Sequence, residues 1–206
     1  MFIIKKTQQI EQEFKNIKHI LNNTGHKGFL FNVKNAIEKA RGKYIFLMNN
    51  DMIALSNYLS ELLNVIENDN TIGIAGSKTL KIDNTIQECG VNLYNNAPIE
   101  FLGINQNANY QDEKTYIDCD YCSGCAIIFK KEIWDKTGGF DTNYEPAYYE
   151  DSDFAFNLKY NYNLKSVCVP KSKLYHFKGQ TYQNHNSDKN RLYFLSKWGN
   201  YLATKN

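Results

Sequence analysis

"AIEKARGKYIFLMNND", residues 36–51, sets the fold class. Tyr44 to Met48 are apolar without alternation, the pattern of a strand buried on both faces. A helical stretch from about Phe29 to Arg41 precedes this run and stops at Gly42. The run ends abruptly at three polar residues, Asn49, Asn50 and Asp51. Helix, buried strand and polar end together make the unit of an α/β layer fold.

The same unit recurs outward from this stretch. Downstream, Asn57 stands as the cap of a helix carrying Leu59, Leu62, Leu63 and Ile66, and "TIGIAGS" (71–77) follows as a strand. Upstream, a helix starts at Thr7 with Ile10, Phe14 and Ile17 on one stripe, followed by a short strand "HILN" and a turn "NTGHKG". This alternation predicts parallel strands flanked by helices. Residues 82–118 read as irregular. "SGCAIIFKKEIWDKTGGFD" (123–141) reads as strand, helical turn and glycine-stopped loop, and a helix follows around 152–160. A last strand, "SVCVP", leads to His176, and Ser187 opens a C-terminal helix with Leu192, Leu195 and Trp198. No Pro/Gly/Ser-rich linker divides the chain, so residues 1–206 are expected to form one domain.

Composition narrows the classes. An apolar share of 42% and a charged share of 22% suit an ordinary packed core. No apolar run is long enough to span a bilayer, and "MFIIKK" is too short for a signal peptide, so a cytoplasmic chain is expected. Five cysteines, an odd number, fit reduced thiols. "CDYCSGC" (119–125) has an iron–sulfur look but lacks a fourth Cys at the required spacing, so buried thiols are expected there. Charge is segregated: residues 44–155 hold six Lys/Arg against eighteen Asp/Glu, while both flanks are basic. An acidic middle with basic ends can seat a cation and the phosphates it bridges, or be no more than solvated faces. No basic–aromatic repeat argues for nucleic acid.

Three features carry candidate chemistry. Asn49, Asn50 and Asp51 lie at the carboxyl end of a strand, where α/β sheets bind ligands, and can offer oxygen to a hard cation or simply turn the chain. "PAYYEDSDFAFNLK" (146–159) crowds Glu150, Asp151 and Asp153 at a helix start. Such carboxylates raise one another's pKa, which suits a base or a cation site, although an acidic capping box would look the same. His176 follows a strand and would complete a metal site only if the fold brings it to Asp51.

The order and spacing of "NTGHKGF", "AIEKARGKYIFLMNND", "TIGIAGSKTL", "TIQECG", "SGCAIIFKKEIWDKTGGFD", "YYEDSDFAFNLK" and "VPKSKLYH" resemble the family 2 glycosyltransferases of the GT-A fold, especially the rhamnosyltransferase-like branch. The resemblance covers roughly residues 20–185. It implies a Rossmann-like, mostly parallel sheet flanked by helices, without the family's usual first strand. It assigns Asn49, Asn50 and Asp51 to the donor diphosphate and its Mn²⁺ or Mg²⁺, with His176 as a further metal ligand. Asp151 becomes the general base with Glu150 beside it, and Gly139, Phe140, Asp141 and Tyr149 meet the acceptor. Asn49 stands where the family's motif has its first Asp.

The implied reaction is transfer of a sugar from a nucleotide-diphosphate donor to a hydroxyl of a glycan, glycolipid or protein-linked acceptor, with inversion. The alternative is a catalytically silent GT-A domain that pairs with a partner chain or a second copy, covering the open sheet edge. A lipid-linked acceptor would make the C-terminal helix, through Lys189, Arg191 and Lys197, a membrane-surface contact.

Overall fold

The computed structural model describes residues 28–95, 99–177 and 187–204. The expected helix from Thr7, the strand "HILN" and the turn up to Lys27 lie outside the described residues. In chain order the first half runs α1 (Gly28–Lys39), β1 (Tyr44–Met48), β2 (Met52–Ala54), α2 (Tyr58–Asn68) and β3 (Ile72–Leu80). Short strands follow: β4 (Ile86–Glu88), β5 (Val91–Leu93), β6 (Ile99–Phe101) and β7 (Ile117–Cys119). The second half is β8 (Ala126–Lys130), α3 (Lys131–Thr137), α4 (Glu150–Tyr162), β9 (Lys165–His176) and α5 (Asp188–Leu202).

The main sheet has the order β1-β8-β3-β9-β2, with β4 added to β3 and β7 to β9. β3 is its centre, and all nine of its residues are buried. Side chains alternate between two packed faces. On β8, Ile127 and Phe129 point to one face while Ile128 points to the other. One face is covered by α2 through Leu62, Val65 and Ile66, which meet Ile72, Ala75, Val167 and Val169. The opposite face receives α1, α3, α4 and α5, with Leu30, Trp134, Phe154, Phe156, Phe194 and Trp198 in one apolar cluster. This is a mixed α/β sheet with helices on both sides.

Strand direction differs from the expectation. Among the described strands only β3 and β9 pair in parallel, and β1 with β8, β8 with β3, β2 with β9, β4 with β3 and β7 with β9 are antiparallel. The apolar runs of β1, β3 and β8 reflect burial on both faces, and an antiparallel strand inside a covered sheet shows the same run. Two smaller differences belong to α2. Asn57 precedes it with φ 64° and makes no side-chain cap, and its carbonyl instead accepts from Glu61 N and Ser60 Oγ. Leu59 faces outward, and Val65 takes a core place.

The irregular stretch after β3 is held by one buried cation. Lys78 Nζ donates to the carbonyls of Ala108 (2.9 Å) and Tyr110 (2.8 Å) and to Asp112 Oδ1 (2.7 Å). All five cysteines are free and buried. No helix among the described residues is long and apolar enough to cross a membrane.

Candidate active site

The polar end of β1 leads straight into β2, which lies along the end of β9 with Met52 opposite His176. The ladder continues one step further, Phe177 N donating to the Asp51 carbonyl at 2.9 Å. This register brings His176 Nε2 to 3.5 Å from Asp51 Oδ1. Asp51 Oδ1 is buried and has no hydrogen-bond partner among the described residues. A buried carboxylate oxygen left without a donor is costly unless a ligand meets it. On its other side the His176 ring is held by Gln87, whose Nε2 lies 3.1 Å from Nδ1. Carboxylate oxygen and imidazole nitrogen together suit a divalent cation of the Mn²⁺ or Mg²⁺ kind. Asp51 and His176 therefore fit a metal as two of its ligands. No group of three ligating side chains occurs among the described residues.

Asn49 and Asn50 continue this end of the sheet. Asn49 N donates to the Cys125 carbonyl at 2.9 Å, tying the β1 end to the loop before β8, and Asn50 is exposed. That loop, Ser123–Gly124–Cys125, is the hub of the site. Ser123 donates through its backbone N (2.9 Å) and its Oγ (2.6 Å) to the two carboxylate oxygens of Glu88. Gly124 N donates to Asp151 Oδ2 at 2.9 Å. The Cys125 thiol is pushed well up by burial and, to a lesser degree, by the charges of Glu88, Asp151 and Asp51.

The acidic cluster divides once folded. Asp153 turns to α5, accepting from Trp198 Nε1 (2.7 Å), Lys197 Nζ (2.6 Å) and the Tyr144 hydroxyl (3.0 Å). Asp151 turns to the hub, and its Oδ1 accepts from Ser152 N at 2.7 Å. Burial raises the Asp151 carboxyl above its ordinary range, while the hydrogen bonds from Gly124 and Ser152 oppose the rise. Glu150 is buried with Oε2 unpartnered among the described residues. Burial first, and then the charge of Asp151, raises it to about 8. Near neutrality the pair therefore holds a proton on Glu150 beside an ionisable Asp151.

Of the loop expected to meet an acceptor, only part reaches the surface. Phe140 is 1% exposed and packs edge-on against Trp134 and Phe154. Gly139 adopts φ 66°, and a Cβ there would lie 2.3 Å from the Trp134 ring. Asp141 accepts from Tyr193 and Lys197, both at 3.0 Å. These three pack into the scaffold, against α3, α4 and α5. Tyr149 sits beside the carboxylate pair, half-buried against Phe194, and Tyr148 is exposed. A cavity of about 610 Å³ opens at His176 and Gln87, bordered by Lys81, Ile82, Phe101 and Phe177. Lys197, expected to face a membrane, points inward to Asp141 and Asp153.

Gln87, Glu88, Ser123 and Gly124 were not singled out as site residues from the sequence. Gln87 and Glu88 lie within "TIQECG" and Ser123 and Gly124 within "SGCAIIF", yet nothing local marks them, because their partners are 27 to 89 residues away.

The glycosyl transferase family 2 model matches residues 3–136. Among solved structures, one similar fold is GalNAc-T7, crystallised with UDP, GalNAc and Mn²⁺, at TM-score 0.73 and 15% identity. It covers 94% of this chain, which spans 39% of that one. Another is the mannosyltransferase PcManGT from Pyrobaculum calidifontis in complex with GDP-Man and Mn²⁺, at TM-score 0.59 and 13% identity. It covers 86% of this chain, which spans 45% of that one. Both are GT-A glycosyltransferases, and this chain shares their fold. No curated protein sequence matches the chain.

Proposed function

The chain belongs to glycosyl transferase family 2, and on that premise we propose that it transfers a sugar from a nucleotide-diphosphate donor to an acceptor hydroxyl, with inversion. The observation that carries the reading is the orphaned Asp51 Oδ1 facing His176, across the Ser123–Cys125 loop from the Asp151 carboxylate. Asp51 and His176 would hold the divalent cation, and Asn49 and Asn50 would border the donor diphosphate. When bound, such a cation supplies the positive charge that stabilises a departing diphosphate. The two similar structures, crystallised with UDP or GDP-Man together with Mn²⁺, support a donor of this class.

Asp151 takes the proton of the attacking hydroxyl. Ser152 holds Oδ1 through its N–H and its hydroxyl, and Gly124 N–H orients Oδ2, which keeps a lone pair for the acceptor. Glu150 keeps its proton up to about pH 8, so the pair carries one negative charge and not two. With a single base and, among the described residues, no side chain assigned as a nucleophile, the reaction would run as one displacement with inversion. Tyr149 and Tyr148 offer aromatic surface to a glycan, glycolipid or protein-linked acceptor, and Gly139, Phe140 and Asp141 would border it.

Calorimetric titration with UDP and with GDP, each with and without Mn²⁺, tests the donor site. Binding that needs Mn²⁺ and disappears in Asp51→Ala supports it. Absence of binding to either nucleotide leaves the silent-domain reading. Asp151→Asn should keep nucleotide binding and lose transfer by roughly 100-fold or more; full transfer by that variant sinks the assignment of the base.

A further inference from the structure

Forty residues beyond the carboxylate pair, one buried amide reaches three backbone carbonyls. Asn190, in the first turn of α5, donates from Nδ2 to Tyr144 O (2.8 Å), Ala147 O (2.9 Å) and Tyr148 O (3.0 Å). Two N–H groups serve three acceptors, so one hydrogen is shared. Asn190 itself is 3% exposed.

The segment it holds ends in a conformation that its residues resist. Tyr148 and Tyr149 adopt φ 78° and 73°, two consecutive left-handed residues with large side chains. Such a backbone conformation is strained for side chains of this size and persists only where its surroundings enforce it. α4 starts at the very next residue. The left-handed pair therefore decides which way the first turn of α4 faces, and so whether Asp151 meets the hub and Glu150 is buried beside it.

We propose that Asn190 is a positioning residue for the Glu150–Asp151 pair: by pinning the 144–148 carbonyls it enforces the left-handed Tyr148–Tyr149 step that turns both carboxylates inward. It does not touch the reacting groups. The rest of α5 braces the same helix from further along, through Trp198 and Lys197 on Asp153. The proposal concerns how the pair is placed and does not need Asp151 to be a base. Loss of nucleotide binding would sink the transferase reading and leave this one standing.

The test uses the burial of Glu150 as its gauge. The charged and titratable groups near the pair are Tyr121, which feels the charges of Asp151 and Glu88, and Arg191 and Asp188 of α5, which act on Tyr149. A carboxyl raised from 4.5 to about 8 keeps its proton in the folded state while the unfolded chain releases it. Stability then falls as pH rises through that window. Urea unfolding of the full chain is followed from pH 4.5 to 8 for wild type, Glu150→Gln, Asn190→Ala and the double variant.

The expected result is a fall in midpoint for wild type that Glu150→Gln removes. Asn190→Ala should cut that fall by about half or more, because a released segment lets Glu150 reach water. The double variant should then be no flatter than Glu150→Gln alone. If the Asn190→Ala curve lies below wild type but runs parallel to it, Asn190 is only a structural hydrogen bond and the proposal is overturned. Should Asn190→Ala not fold, Asn190→Ser, which keeps one donor, gives the same reading: a reduced slope supports the proposal and an unchanged slope overturns it.

Discussion

Glu150, Asp151 and Asp153 sit within four positions, yet each has a different job. Asp153 is a structural acceptor, gripping Trp198, Lys197 and Tyr144, whereas Asp151 faces the hub and Glu150 is buried beside it, its carboxyl raised by burial and by the charge of Asp151. Asp153→Ala should therefore destabilise the fold by about 2 kcal/mol, because it leaves the buried Trp198 N–H and the Tyr144 hydroxyl without their acceptor, while Lys197 keeps only Asp141. Urea unfolding measures it, and a change below about 0.5 kcal/mol would show that the anchor is dispensable. Gly139 is a second residue-scale constraint. Its φ of 66° and the Trp134 ring 2.3 Å from a prospective Cβ make Gly139→Ala costly by about 2 kcal/mol or more. A thermal midpoint lowered by several degrees is the expected readout, and an unchanged one would refute the packing argument. The acidity of the 150–153 cluster and the glycine pair at 138–139 are visible in the sequence. Which carboxylate turns to which partner is not, since Gly124 and Trp198 lie 27 and 45 residues away.

At the scale of elements, β3 is the piece around which the others assemble. Its buried residues include Lys78, the only charged residue within the strand, and that ammonium gathers the 108–112 segment through two carbonyls and Asp112. Removing the charge leaves the Ala108 and Tyr110 carbonyls without a donor, and Asp112 keeps only Lys173. Lys78→Met should cost about 3 kcal/mol and release the 108–112 segment to protease before global unfolding. Limited proteolysis that cuts there no faster than in wild type would count against this role. The cationic anchor is illegible locally, because a lysine within "GSKTL" gives no sign that it points inward. The elements of the scaffold are another matter. α1, β1 and β3 follow the helical stripes and apolar runs of the chain closely, whereas in α5 the expected stripe shifts: Leu192 is exposed, and Phe194 and Leu202 join Trp198 in the core, as Val65 replaces Leu59 in α2.

The whole molecule depends on α5 closing one face of the sheet. Phe194, Trp198 and Leu202 bury against Phe156 and the α4 side of the core. Burying a large apolar side chain is worth about 2–3 kcal/mol, so three of them rival the entire net stability of a domain. A chain ending at Phe177 should therefore lose cooperative unfolding and bind hydrophobic dyes; a sharp, dye-free transition would show that α5 is peripheral. By itself the sequence determined the α/β class, the buried strands, the polar end at Asn49–Asp51 and the acidic helix start, because each is written in residues adjacent along the chain and governed by local periodicity. Tertiary structure alone decided strand direction, the meeting of Asp51 with His176, the hub at Ser123–Gly124, the burial of Phe140 and the reach of Asn190 to Tyr148. All of these depend on which distant segments become neighbours, and that is set by the register and closure of the sheet, which no short window of sequence contains.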